Sequence, residues 1–189
     1  TLLDYGSNIY ASWINVNMIY LSQFSNKKVL VIGLGKTGVS LVINLLHCYC
    51  KEVYVLDDNP NRITEIMESE DVRSLLFKNA YNEKIFYFDP KQHDLKDLDC
   101  VVVSPGVDCN IHPIVKEAKR NKIWLTNDIE EFIRATKHNM QVAITGTNGK
   151  STTCSLIHHV LQKRWPETQL GGNIGRPASD LIYYEDSGK

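Results

Sequence analysis

A glycine loop, Gly33-Leu-Gly35-Lys-Thr-Gly38, follows a β-branched run and opens a helical pattern, and no other feature narrows the possible folds so far. Glycines let the backbone turn tightly and approach a pyrophosphate, while the helix amino terminus offers free N–H groups and a positive dipole end to the anion. Asp57 stands at the end of the next β-branched run, about 20 residues further on, where a carboxylate can accept hydrogen bonds from ribose hydroxyls. Alone, this motif fits a dinucleotide such as NAD or FAD as well as another nucleotide diphosphate.

The surrounding pattern agrees with that start. Short β-branched runs alternate with segments of helical periodicity, which predicts an α/β fold, a Rossmann-like parallel sheet with crossover helices. Strands are expected near residues 29–33, 53–57, 85–88, 100–103 and 123–125, and helices over 37–50, 62–79, 113–121 and 128–135. Three consecutive valines, Val101 to Val103, suit a strand covered on both faces. Ser104-Pro105-Gly106 then puts a turn at its carboxyl end, where open α/β sheets collect ligands.

The polar stretch Thr136-Lys-His-Asn139 breaks the pattern, and a second cycle follows: a strand expected over 141–145, a helix over 150–163 and another glycine-rich turn after Gln169-Leu170. The expected division is a lead-in or extension over 1–26, a Rossmann-like substrate-binding domain over 27–137, and the opening of a P-loop α/β domain over 138–189. About fifty residues are fewer than a domain needs to close a core, so this second domain is expected to be incomplete. Met18, about ten residues before the first strand, is the expected native start.

Between the second cycle's strand and helix lies Thr145-Gly146-Thr147-Asn148-Gly149-Lys150-Ser151-Thr152. Such a loop wraps backbone N–H groups around the terminal phosphates of ATP, a lysine reaches their oxygens and a hydroxyl coordinates Mg2+. The usual G-x-x-x-x-G-K-[ST] spacing would require glycine at Ile144, and the upstream glycine here is Gly146. Gly146, Thr147, Asn148, Gly149, Lys150, Ser151 and Thr152 are the expected ATP contacts, with Lys150 and Ser151 the catalytic candidates and Ser151 the metal ligand. A third motif, Gly171-Gly-Asn173-Ile-Gly175-Arg-Pro177, makes a rigid loop before an expected helix and could offer the Asn173 amide to a ligand.

Composition excludes several classes. The 21 basic and 22 acidic residues nearly cancel, so there is no broad positive field for nucleic acid or an anionic membrane. No apolar run approaches the roughly 20 residues that cross a bilayer, and the opening residues lack a signal-peptide pattern. The five cysteines include no C-x-x-C pair and are expected to be reduced thiols in a cytoplasmic protein. His158 and His159 point about 100° apart on one helix and suit packing better than metal binding. Trp124, Phe132 and Phe86-Tyr-Phe88 are expected in the core, and residues 65–73 on a solvated helix face.

The order of a Rossmann-like start, Ser104-Pro-Gly106, Gly146-Thr-Asn-Gly-Lys-Ser-Thr152 and Gly172-Asn-Ile-Gly175 resembles the Mur ligases, from about Lys27 to Tyr184, and most closely their D-glutamate-adding branch. Folylpolyglutamate synthetases share a similar ATP loop but do not begin with a Rossmann-like domain. The resemblance implies that Lys36, Thr37 and Gly38 hold the diphosphate and uridine portion of UDP-N-acetylmuramoyl-L-alanine. Asp57 and Asp58 would lie near uracil and ribose, Gly106 would line the same pocket, and Asn173 would contact the muramyl part. It also implies ATP-driven amide formation for peptidoglycan synthesis, with Mg2+: the alanine carboxylate attacks the γ-phosphoryl group, and the amine of D-glutamate displaces phosphate from the acyl phosphate. The family's magnesium-binding glutamate, histidine, modified lysine and amino-acid-binding third domain cannot be located in this sequence, so the chain is expected not to catalyse ligation alone. The full-length enzyme is expected to be a monomer. Two rivals remain, an NAD(P)-dependent oxidoreductase, which leaves residues 146–152 unexplained, and a non-catalytic nucleotide-binding module.

Overall fold

The computed structural model of the chain describes residues 19, 21–70, 72–73 and 85–181. Five parallel strands form one sheet in the order β3-β2-β1-β4-β5: β1 (Lys28–Ile32), β2 (Glu52–Leu56), β3 (Ile85–Tyr87), β4 (Cys100–Val103) and β5 (Trp124–Thr126). This is the Rossmann-like α/β fold expected from the alternation. Central β1 pairs with β2 on one side and β4 on the other, so the strand order reverses between β1 and β4. The helices that follow β1 and β2 cover one face, and the helix that follows β4 covers the other. At such a switch point the loops at the carboxyl ends of the two strands diverge and leave a crevice between them.

The central strands read as they do because both faces are covered. All four residues of β4 are buried, as are the last four of β1. Alternation then divides the core. Val29 and Val31 face one cluster with Val53, Val55 and the α1 (Lys36–His47) side chains Leu41, Val42 and Leu45. Leu30 and Ile32 face the other, with Val101, Val103 and the α3 (Pro113–Arg120) side chains Ile114, Val115 and Ala118.

Local capping fixes the remaining helices. Asn59 accepts the Asn61 amide and Pro60 opens α2 (Pro60–Glu68). Asn127 accepts the Glu130 amide at the start of α4 (Asp128–Ala135). The continuous helix expected over 62–79 is broken at Ser69, whose hydroxyl donates to Ile66 O and accepts the Val72 amide, capping the next helical residues. Its remainder, like Met18, lies outside the described residues.

Three other expectations are corrected. Part of the lead-in is core: Ile19, Leu21 and Phe24 are buried, and Phe24 stacks on Trp124 with ring centroids 5.2 Å apart. Tyr87 is 48% exposed because β3 is an edge strand, although Phe88 beside it is buried. Residues 141–145 form no strand, since no described strand pairs with them; Val142 lies 57% exposed and the Gln141 amide bonds instead to Thr136. The following helix, α5 (Lys150–Gln162), buries no residue, and its His158 ring nitrogen lies 3.0 Å from the Thr168 carbonyl, a packing contact.

After α5 the chain returns to the sheet domain. The helix expected after Pro177 is only a 3-10 turn, Ala178–Asp180, which packs on α1 and α4 with Ala178, Ser179 and Leu181 buried. Its polar side chains bond across to α1 rather than leaving the backbone to extend a helix: Ser40 Oγ lies 2.6 Å from Ser179 Oγ and also donates to Asp180 Oδ1. The Asn44 amide donates to Ser179 O at 3.3 Å. Burial pushes the Asp180 carboxyl above its ordinary value, against the Ser40 bond that favours the charged form.

Candidate functional site

The crevice at the switch point is a cleft of about 520 Å³, within the size range of small-molecule sites. Every substrate-contact residue expected from sequence lines it: Lys36, Thr37 and Gly38 after β1, Asp57 and Asp58 after β2, Gly106 after β4, and Asn173 from the returning segment. Four stretches of chain, spread over more than 130 residues of sequence, converge there.

Its floor is the glycine loop. Val39 is the first amide of α1 to find an intrahelical acceptor, Gly35 O at 3.0 Å, so the amides of Lys36, Thr37 and Gly38 have none. No side chain caps this end, which leaves a donor-rich, positively polarised helix terminus facing the cleft. Gly38 is required by close packing: a Cβ there would stand 1.9 Å from Gly33 O and 2.9 Å from Ser104 Oγ.

The loop is tied to both neighbouring strands. Gly33 N donates to Leu56 O at 2.8 Å, and Leu34 N donates to Asp57 Oδ2 at 2.6 Å. Asp57 Oδ1 accepts the Asn59 amide at 2.8 Å. Asp57, expected beside the ribose, has a nearly buried carboxylate that clamps the loop after β1 to the loop after β2. Opposite, Ser104 Oγ donates to Gly33 O at 2.7 Å. The Lys36 side chain reaches Gly175 O at 3.4 Å and joins the returning loop to the cleft.

Sequence reasoning passed over three residues of this lining. Ser104 was visible only as part of a turn. Arg62, in the first turns of α2, places a guanidinium nitrogen 3.8 Å from Asp57 Oδ2. His112, just before α3, lines the cleft with Nδ1 buried and without a hydrogen-bond partner. The signal available for Arg62 was its place shortly after Asp57-Asp58-Asn-Pro60; nothing in the sequence marks His112.

The ATP-loop residues form a separate feature, and none of them lines the cleft. Gly146 and Gly149 hold positive φ of 146° and 77°, which suits a loop that curls its amides inward. Thr153 N is the first α5 amide bonded within the helix, to Gly149 O at 2.9 Å, so the amides of Lys150, Ser151 and Thr152 have no intrahelical acceptor. Lys150 Nζ lies over the loop on the carbonyls of Gly146 and Thr147, the latter at 3.1 Å. These donors and the exposed Ser151 hydroxyl suit an anionic polyphosphate with its magnesium, although one hydroxyl supplies one ligand of six.

Comparison with known proteins decides the family. Residues 27–126 match the family model described as Mur ligase MurD-like, N-terminal domain, which is more than half of the chain. The chain belongs to the MurD-like Mur ligases. Among curated relatives, the UDP-N-acetylmuramoylalanine-D-glutamate ligase of Wolbachia pipientis wMel is 38% identical over 162 residues, 85% of this chain and 29% of that protein. The ligase of the same name from Zymomonas mobilis is 38% identical over 168 residues, 85% of this chain and 36% of its own length. The chain thus spans about a third of the length of these relatives. A solved 3-hydroxyacyl-CoA dehydrogenase from Archaeoglobus fulgidus overlaps 54% of this chain and 33% of its own, at 22% identity and a TM-score of 0.37, too low to bear on function. Among the described residues, no helix of this MurD-like chain is long and apolar enough to cross a membrane.

Proposed function

We propose that this chain is the nucleotide-substrate-binding part, with the opening of the ATP-binding part, of a cytoplasmic ligase that adds D-glutamate to UDP-N-acetylmuramoyl-L-alanine in peptidoglycan precursor synthesis. The observation that carries it is the cleft: the residues singled out for the uridine diphosphate portion come together at the carboxyl ends of β1, β2 and β4, around an uncapped helix terminus. The names of the curated relatives support the choice of substrate and acceptor.

In this proposal the α1 amides and the glycine loop bind the diphosphate, Asp57 holds the loop in shape, and Asp58 and Thr37 contact the nucleoside. Asn173 reaches the sugar side, and its loop is kept against α1 by Lys36, Ser40 and Asn44. The boundary between the two functional parts falls near residue 137. Lys150 and Ser151, with the amides of residues 146–152, would hold ATP and magnesium, which supply the phosphoryl group that activates the alanine carboxylate. Their task is to orient and neutralise the transferring phosphates.

The chain alone binds the uridine substrate and does not catalyse, since α5 buries nothing and the ATP loop is not backed by a strand. The test is phosphate release from the 189-residue chain given UDP-N-acetylmuramoyl-L-alanine, D-glutamate, ATP and Mg2+. The expected result is no turnover, with full activity in a protein extended to the length of its relatives. Turnover by the 189-residue chain would overturn the assignment of the catalytic apparatus to residues beyond it.

A further inference from the structure

Two cations, Lys36 and Arg62, line the cleft beside His112, and they are not equivalent. Lys36 is drawn to Gly175 O at 3.4 Å, and the His112 Nδ1 is buried. Arg62 differs in place and in what it leaves available. Its Nη1 would lie 3.8 Å from a Cβ on Gly35, so the guanidinium hangs over the middle glycine of the loop, where the backbone must come closest to a diphosphate.

The contact that positions it is loose. Arg62 Nη1 is 3.8 Å from Asp57 Oδ2, near enough for charge attraction and too long for a hydrogen bond. Asp57 spends its short hydrogen bonds elsewhere, on the amides of Leu34 and Asn59. Among the described residues no hydrogen bond engages the guanidinium, and the side chain is 49% exposed at the cleft mouth. A planar fork of donors is therefore held over the loop by an anion that does not saturate it, and such a fork matches two phosphate oxygens at once.

We propose that Arg62 is the residue by which this cleft selects a nucleoside diphosphate over the corresponding nucleoside, closing over the phosphates from above while the α1 amides hold them from below. This rests on the nucleotide-binding assignment of the cleft. It gives the Asp57–Arg62 pair a division of labour: the carboxylate shapes the loop and aims the guanidinium, and the guanidinium takes the anion.

The experiment is calorimetric titration of the 189-residue chain and its Arg62→Ala and Arg62→Lys variants with UDP, uridine and ADP. A charge-assisted contact of this kind supports a loss of roughly ten- to a hundredfold in UDP affinity for Arg62→Ala, with uridine binding unchanged. Arg62→Lys should recover only part, because an ammonium cannot make the paired contact. Unchanged thermal unfolding would accompany this, since Asp57 keeps its two amide partners. Equal losses for UDP and uridine, or no loss for UDP, would overturn the proposal. If ADP binds as tightly as UDP and both depend on Arg62, the proposal holds while the choice of uridine fails. If no diphosphate binds the unaltered chain, both fail.

Discussion

Gly38→Ala sets a local preference against a tertiary contact, and the structure says which wins. In an exposed helix the change would stabilise by about 1 kcal/mol, because alanine loses less backbone freedom than glycine. At this position the new methyl would stand 1.9 Å from Gly33 O, 2.9 Å from Gly33 C and 2.9 Å from Ser104 Oγ. Relief requires α1 to move off β1 by more than an ångström, and two of those atoms are backbone. Overpacking of this severity costs about 3 kcal/mol or more, so the net loss is about 2 kcal/mol after the propensity gain. For a chain of this size that lowers the thermal midpoint by roughly 4–8 °C. Gly106→Ala is the control, since a Cβ there meets nothing within 4 Å, and its stability should stay within about 0.5 kcal/mol of the parent. Urea unfolding of both variants reads the difference directly. A Gly38→Ala protein as stable as the parent would refute the close-packing explanation for the third glycine.

Phe24→Ala should destabilise by about 3–5 kcal/mol in the same assay, because Phe24 is fully buried and stacked on Trp124; a loss under about 1 kcal/mol would refute its place in the core. Burial raises the Asp128 carboxyl above its ordinary 3.8, so the folded chain holds that proton more tightly than the unfolded one. Stability is then lost as pH rises from about that value through the higher folded one. Asp128→Asn should accordingly unfold at higher urea than the parent at pH 7, with the advantage vanishing below pH 3.8. Burial also pushes the Cys48 thiol up to about 11 and raises Cys100, so brief alkylation of the native chain should label half-buried Cys109 and Cys154 and spare those two, as peptide mass spectrometry would show.

Much of the sheet domain was legible because its signals are local. Lys-Val-Leu-Val-Ile and Cys-Val-Val-Val carry β-branched strand runs, the helical periodicity from Asp128 marks a crossover helix, and the glycine loop announces an anion site. What was not legible depends on distant partners. Residues 141–145 carry a strand-like pattern, yet a strand forms only when a ladder partner is present. Phe24 reads as lead-in until Trp124 comes beside it, and Ala178–Asp180 reads as helix until Ser40 and Asn44 engage its polar groups. Within the cleft, the glycine loop and Asp57 were found from spacing, and Lys36, Thr37, Asp58, Gly106 and Asn173 from the resemblance to the Mur ligases, whereas Arg62 and His112 matter only through where the fold puts them.

The central claim is that the cleft takes a uridine diphosphate sugar and not a dinucleotide. Calorimetric titration of the chain with UDP-N-acetylmuramoyl-L-alanine, beside NADH in the same buffer, tests it most directly. Saturable binding of the uridine compound, weakened by Thr37→Ala or Asp57→Asn and absent for NADH, is the predicted result; binding of NADH alone would contradict the account.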